Sequence, residues 1–133
     1  MFLKSNLSLI SINARGLRNI TKRKSLFLFC KGKTANIVFL QETHSKPEDN
    51  TFWSKQWGDG AYFCHGTSRS AGVAVLQKNF QGQVIAQHKD EHGHWLILVI
   101  DIDNAKFILT NLYGYNTIHQ NILLLEVIAS QLE

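Results

Sequence analysis

The sequence predicts a mixed α/β domain built from layers of helices and strands, and three observations support this. An alternating, β-rich segment at residues 7–12 (LSLISI) is followed by a helical pattern and then by a wholly apolar run at residues 37–40 (IVFL). Such an order indicates a strand–helix–strand unit. After residue 60 the period changes to short β-rich segments separated by turn residues. A last helical pattern follows them.

The first half of the chain contains two predicted helices. Asn19 or Thr21 can cap a helix that runs to about Lys31, where Gly32 stops it. A polar loop with the single proline of the chain covers residues 45–50, and Asn50 can cap a second, short helix. The residues expected to face a sheet from the first helix are Leu26, Phe27, Phe29 and Cys30, and the second helix carries Phe52, Trp53 and Trp57.

The second half reads as consecutive antiparallel hairpins. Strands are predicted at residues 61–64, 72–77, 83–87, 95–101 and 106–112, with turn signals at residues 91–93 and 103–104. Thr117 or Asn121 then opens a helix that runs through Leu132. Its expected apolar face consists of Ile122, Leu125, Ile128, Ala129 and Leu132.

Composition fits a folded domain with a basic surface. The 133 residues are 44% hydrophobic and 18% charged, with a formal net charge of +4. This excess suits a polyanionic partner such as DNA, although basic residues early in the chain fit a solvated helix face or a phosphate-facing patch equally well. These residues are Arg15, Arg18, Lys22, Arg23, Lys24, Lys31 and Lys33.

Several function classes find no support in the sequence. Cys30 and Cys64 are isolated and are predicted to be reduced and buried, in a nuclear or cytoplasmic protein. Lys4 interrupts any secretory apolar run, and the longest apolar run, residues 95–100, is too short to cross a membrane. The six histidines lack zinc-site spacing, and no phosphate-binding glycine loop or nucleophile elbow is present.

Polar residues collect where predicted strands end. Asn13 follows the first strand, Glu42 follows the second, and Tyr113 and Asn116 follow the last. A carboxylate after a buried strand is a suitable ligand for Mg²⁺, and a tyrosine hydroxyl can donate to a phosphate oxygen. Each also has a plainer interpretation: Asn13 as a turn former, Glu42 as the start of a loop, Tyr113 as a half-buried aromatic residue and Asn116 as a helix-capping residue.

In order and spacing, five segments resemble the endonuclease domain of LINE-type, non-LTR retrotransposons. That family is part of the endonuclease/exonuclease/phosphatase superfamily and includes exonuclease III-like relatives. The matching segments are residues 7–17 (LSLISINARGL), 38–44 (VFLQETH), 71–76 (AGVAVL), 91–95 (EHGHW) and 108–116 (ILTNLYGYN), and they extend over nearly the whole chain.

The resemblance implies a fold, an activity and a set of site residues. The fold would be a four-layer α/β/β/α sandwich, and the activity Mg²⁺-dependent nicking of DNA, with Mn²⁺ as the alternative metal. Glu42 matches the metal-binding glutamate, Asn13 an asparagine that organises metal and phosphate, and Tyr113 the tyrosine that contacts the scissile phosphate. Asn116 matches the asparagine that closes the tyrosine motif, although Gly114-Tyr115 replaces the usual small residue and proline.

Later motifs of the family are absent from the sequence. In the family, a G-D-x-N segment supplies an Asp and an Asn that orient the attacking water and stabilise the phosphate. Another Asp and a closing S-D-H segment follow, and the His of that segment is the remaining catalytic partner. We therefore expect residues 1–133 to form the N-terminal part of one such domain, an incomplete sandwich that does not nick DNA alone. The alternatives are a non-catalytic nucleic-acid-binding fragment, a decayed retrotransposon remnant, and a relative that acts on phosphorylated small molecules or lipids.

Overall fold

The computed structural model of the chain describes residues 7–132. They form seven strands, three α-helices and a short 3₁₀ helix, Pro47–Asp49. The strands are β1 Leu9–Asn13, β2 Ile37–Gln41, β3 Ala61–Cys64, β4 Val73–Gln77, β5 Gln83–Lys89, β6 Trp95–Ile102 and β7 Ala105–Leu112. The α-helices are α1 Ile20–Lys31, α2 Asn50–Trp57 and α3 Ile118–Gln131.

The strands form two sheets. The first has the order β1-β2-β4-β3, in which β1 and β2 are parallel and the other pairs antiparallel. The second is the antiparallel sheet β5-β6-β7. The prediction of consecutive hairpins was wrong at one connection, because the chain leaves the first sheet after β4 and enters the second at β5.

Three apolar clusters show that the sheets are stacked between helices. Helices α1 and α2 pack on the outer face of the first sheet, where Phe27 and Trp57 meet Leu40 of β2. The inner faces of the two sheets meet in a second cluster that includes Val75 and Leu98. Helix α3 packs on the outer face of the second sheet. The order of layers is therefore α/β/β/α, as predicted.

Alternation along β6 accounts for its place between two layers. Leu96, Leu98 and Ile100 face the first sheet, whereas Trp95 and Ile97 face α3. Successive side chains of a strand point to opposite faces, so a strand buried on both sides is apolar throughout. This explains the unbroken run at residues 95–100.

The helix faces differ in part from the predictions. Asn19 caps α1 by accepting from the Lys22 N–H at 3.0 Å, and Phe27 and Cys30 are buried, but Phe29 is exposed. Asp49, not Asn50, precedes α2, and Phe52 of that helix is exposed. Phe29 is two residues from Phe27, so the two side chains point to nearly opposite sides of the helix and cannot both meet the sheet.

The predicted face of α3 was correct only at Ile128. Leu124 and Ile128 are its buried residues, whereas Ile122, Leu125 and Leu132 are exposed. Thr117 caps this helix and accepts from the Gln120 N–H at 3.2 Å. Because α3 is apolar on more than one face, its sequence did not indicate which residues meet the sheet.

One basic residue proved to be structural. Arg23 is buried and donates to the Leu17 carbonyl at 2.8 Å, with its guanidinium 4.6 Å from the ring centroid of Trp53. Burial lowers the pKa of Arg23. Its place in the core makes it neither a solvated residue nor a phosphate contact. The prediction for the cysteines was correct, since Cys30 and Cys64 are free and buried.

Candidate functional site

The loops at one end of both sheets are joined by backbone hydrogen bonds. They connect the loops after β1 and β2, the start of β4, the turn before β6 and the end of β7. The bonds run from Gly16 N to Glu42 O at 2.6 Å, Thr43 N to Gly72 O at 3.0 Å, Gly72 N to Gly93 O at 3.0 Å and Tyr113 N to His94 O at 2.7 Å. Residues distant in sequence therefore share one edge.

The backbone along this edge is strained. Left-handed conformations occur at Glu42 (φ 54°) and at its neighbour His44 (φ 57°), although neither is glycine. Such conformations are costly for ordinary residues and are concentrated at functional sites. The other left-handed residues of these loops are Arg15, Gly16, Ala71, Gly72 and Gly93.

Glu42 and Tyr113 meet directly at this edge. The Tyr113 hydroxyl donates a short hydrogen bond to Oε1 of Glu42, although the two residues belong to different sheets. This bond raises the pKa of the Tyr113 phenol, with burial adding to the effect. Both side chains are half-buried, so they remain accessible to a ligand from the edge.

Asn13 lies beside this pair on the neighbouring strand. It is the last residue of β1 and is in register with Gln41, the residue before Glu42. Its Oδ1 accepts from the Arg15 N–H at 3.1 Å, and its side chain is otherwise exposed. The strand pairing thus brings Asn13 to the same edge as Glu42.

Asn116 lies farther along the loop after β7. It is exposed and lines a cavity of about 180 Å³, together with Tyr113 and Tyr115. Asn121 holds this loop through two hydrogen bonds with the Tyr115 backbone, at 2.6 and 3.0 Å. Asn116 therefore borders the same opening as Tyr113.

Asn111 is a buried lock between the two sheets. Its Nδ2 donates to the carbonyls of Leu40 at 3.1 Å and Ala74 at 2.8 Å, and its Oδ1 accepts from Gln41 Nε2 at 2.8 Å. The Asn111 side chain, which lies on β7, thereby bonds two strands of the first sheet. Glu42 is two residues after Leu40, and Tyr113 is two residues after Asn111. The hydrogen bond between Asn111 and Leu40 therefore fixes the separation of Glu42 and Tyr113.

His94 is a further residue of this edge that the sequence marked only as part of a turn. Its ring stacks on Tyr115, with centroids 3.6 Å apart, and its Nδ1 lies 2.7 Å from the Tyr113 carbonyl. Asp90 fixes the turn by accepting from the His94 and Gly93 N–H groups, both at 3.0 Å. A glycine between two histidines signals a turn, but not this stacking.

The donor set at the edge fits a hard divalent cation. Glu42 offers a carboxylate and Asn13 an amide oxygen, and Mg²⁺ typically binds one or two carboxylates together with water and phosphate oxygens. Across residues 7–132 there is no group of three or more His, Cys, Asp or Glu side chains that could hold a metal by themselves. A cation here would therefore depend on water and a bound phosphate for its remaining ligands.

Solved structures identify the fold. A functionally unknown conserved protein from Enterococcus faecalis V583 superposes with a TM-score of 0.72 at 14% identity, over 95% of this chain and 60% of that protein. Truncated TDP2 from Caenorhabditis elegans gives a TM-score of 0.69 at 19% identity, over 95% of this chain and 54% of that one. The chain has the endonuclease/exonuclease/phosphatase fold.

A transposon-encoded protein is similar in sequence. The transposon TX1 uncharacterized 149 kDa protein of Xenopus laevis is 30% identical over 112 residues, which are 84% of this chain and 9% of that protein. No protein-family model matches the chain. The chain is thus a homologue of a transposon-encoded protein, in agreement with the resemblance of its motifs. It spans about a tenth of that relative and under two thirds of the structural neighbours.

Among residues 7–132, no helix is long and apolar enough to cross a membrane.

Proposed function

We propose that this chain carries the metal- and phosphate-binding part of a phosphodiesterase site that acts on DNA. The observation that carries the proposal is the bond from Tyr113 to Glu42, which joins a phenol and a carboxylate across two sheets at a strained, accessible edge. The transposon homologue and the fold shared with TDP2, one structure of which is complexed with a single-strand DNA product, support this choice.

Each residue has a definite task in this proposal. Glu42 and Asn13 would hold Mg²⁺, which when bound would neutralise charge on the phosphate. The Tyr113 hydroxyl now donates to Glu42 and can turn to donate to a nonbridging phosphate oxygen. Exposed Arg15, two residues after Asn13 in the loop that follows β1, adds positive charge for the DNA backbone.

We also propose that residues 1–133 form the N-terminal part of the domain and do not nick DNA by themselves. Hydrolysis needs a group that activates water, and the later motifs to which the family resemblance gives this task are not among residues 1–133. Loss of one member of a cooperative catalytic set lowers the rate by orders of magnitude. The same polypeptide can still bind the phosphate backbone.

A DNA-binding titration and a nicking assay test these proposals together. Fluorescence anisotropy of a labelled oligonucleotide should show tighter binding in Mg²⁺ than in EDTA, and Glu42→Gln should abolish this difference. Glu48→Gln, an exposed glutamate outside the site, is the matched control and should leave it unchanged. Binding that is equal with and without Mg²⁺ would refute the metal site.

Relaxation of supercoiled plasmid measures activity. We expect no Mg²⁺-dependent nicking by the 133-residue chain. Nicking that disappears in Glu42→Ala would contradict the proposed inactivity and confirm the site. Binding without Mg²⁺ dependence or turnover would instead favour a non-catalytic nucleic-acid-binding fragment.

A further inference from the structure

Two buried hydroxyl groups lie immediately behind Glu42. Thr43 and Ser45 are fully buried. Buried polar side chains in folded proteins have hydrogen-bond partners, and leaving one unpaired costs about 1–3 kcal/mol. The hydrogen-bond partners of Thr43 and Ser45 therefore indicate the role of these two hydroxyl groups.

The hydroxyls form a directed chain that ends at His65. The Thr43 hydroxyl donates to Ser45 Oγ at 3.0 Å, and Thr43 Oγ1 accepts from the Ser45 N–H at 3.2 Å. Ser45 Oγ lies 2.9 Å from Nδ1 of His65. A hydroxyl has one proton to donate, so the Ser45 proton is left for His65. This series of hydrogen bonds is complete when Nδ1 of His65 carries no proton and accepts the one from Ser45.

The surroundings of His65 favour this neutral form. Its ring stacks on Phe63 with centroids 5.5 Å apart, and the Gly66 N–H donates to the Ser45 carbonyl at 3.0 Å. Burial, followed by the positive charge of Lys89, lowers the pKa of His65 against the weaker opposing effects of Asp49 and Glu48. The imidazole is thus held in place as a hydrogen-bond acceptor.

Thr43 connects this chain to the candidate site. It lies between Glu42 and His44, both in the left-handed conformation, which they adopt only if neighbouring groups hold them. The Thr43 N–H donates to the Gly72 carbonyl, and its carbonyl accepts from the Leu17 N–H, both at 3.0 Å. The hydroxyl chain fixes the remaining polar atom of Thr43.

We propose that His65 is a positioning residue, which acts through Ser45 and Thr43 to hold Glu42 in the conformation that meets Tyr113. The proposal rests on the proposed function in one respect, namely that the carboxylate so placed binds a metal. The positioning itself is a property of the folded chain.

Two substitutions of His65 separate its hydrogen bond from its packing. The Oδ1 of Asn can take the place of Nδ1, so His65→Asn should keep the acceptor, whereas His65→Leu removes it. His65→Leu should speed hydrogen exchange of the Thr43 amide. It should also weaken Mn²⁺ binding by roughly tenfold, the scale of outer-shell effects at metal sites. His65→Asn should retain wild-type values. His88→Leu, an exposed histidine of β5, is the control.

Ser45→Ala tests the same chain if His65→Leu fails to fold, because it removes only the hydroxyl. It should reproduce the faster Thr43 exchange. Wild-type exchange in both Ser45→Ala and His65→Leu would overturn the proposal, as would equal losses in His65→Asn and His65→Leu. Faster Thr43 exchange in a protein whose wild type binds no Mn²⁺ would support the positioning role and refute the metal site.

Discussion

The two sheets end at the same edge but differ in how their outer faces are covered. Helices α1 and α2 cover the first sheet with large side chains, and Phe27, Trp53 and Trp57 are almost fully buried there. On the second sheet, α3 covers Trp95 and Ile97 of β6. Apolar side chains of β7 and α3 remain exposed, among them Phe107, Ile108, Leu112, Ile122 and Leu125.

The difference shows that the candidate site joins two sheets whose outer faces are covered to different extents. Glu42 stands on the sheet with the larger outer core, whereas Tyr113 stands on the sheet whose outer face is partly open. Stability in proteins is not uniform, and regions with fewer buried apolar contacts open more readily. The Glu42–Tyr113 contact therefore depends on the layer between the sheets, where the side chain of Asn111 on the second sheet bonds strands of the first.

The largest expected effect comes from the cover of the first sheet. Trp57→Ala removes a buried side chain whose Nε1 donates to the Gln77 carbonyl at 2.7 Å. It should lower the free energy of unfolding by about 3–5 kcal/mol. Urea denaturation measures this value. Phe52→Ala on the same helix removes an exposed ring that lies 5.5 Å from the Arg23 guanidinium, and should change it by less than about 1 kcal/mol.

The lock between the sheets should give the next largest effect. Asn111→Leu leaves the carbonyls of Leu40 and Ala74 without this donor, and each buried unpaired group costs about 1–3 kcal/mol. Urea denaturation should show that loss, and amide exchange at Tyr113 should become faster. Gln87→Leu, the same kind of change at an exposed position of β5, serves as control. Unchanged stability in Asn111→Leu would show that Asn111 is not a lock.

Alkaline pH should weaken the layer between the sheets. Burial, followed by the hydrogen bond to Asp90, raises the pKa of the Cys64 thiol from 9.0 to about 12. A group with a raised folded pKa contributes stability that is present below the unfolded value and lost as pH rises through the folded one. The free energy of unfolding should therefore fall between about pH 9 and 12. Cys64→Ala should show a smaller fall, and an equal fall would contradict this assignment.

The smallest effect on stability should come from the open face. Ile108→Lys with Leu125→Lys replaces exposed apolar side chains, so the free energy of unfolding should change by less than about 0.5 kcal/mol per site. Self-association, followed by light scattering, should decrease because large exposed apolar patches promote it. A large loss of stability would mean that these residues are packed.

The sequence predicted the architecture because its signals are local and periodic. Alternation in residues 7–12 and the apolar run at 37–40 were enough to place β1 and β2, and Gly32 marked the end of α1 correctly. Failures occurred where tertiary contacts decide. Phe29 was expected to face the sheet and is exposed, although it is as apolar as the buried Phe27, because only the packing against the sheet determines which side chain it meets.

The candidate site was predictable in its parts but not in its connections. Glu42 and Tyr113 were chosen because they follow strands, and the structure brings them into contact. Their roles, and those of Asn13 and Asn116, stay predictions. The hydrogen bonds from Thr43 through Ser45 to His65 gave no periodic signal, because they depend on two loops 20 residues apart in sequence. The left-handed backbone conformation of Glu42 likewise could not be predicted from the sequence.

The most direct test of a metal site on Glu42 is a residue-resolved Mn²⁺ titration followed by nuclear magnetic resonance. We predict that paramagnetic broadening begins at Asn13, Glu42 and Tyr113, residues of one edge drawn from both sheets. Glu42→Gln should remove this broadening, and Glu48→Gln should leave it unchanged. Broadening that is absent from this edge, or that persists in Glu42→Gln, would contradict a metal site built on Glu42.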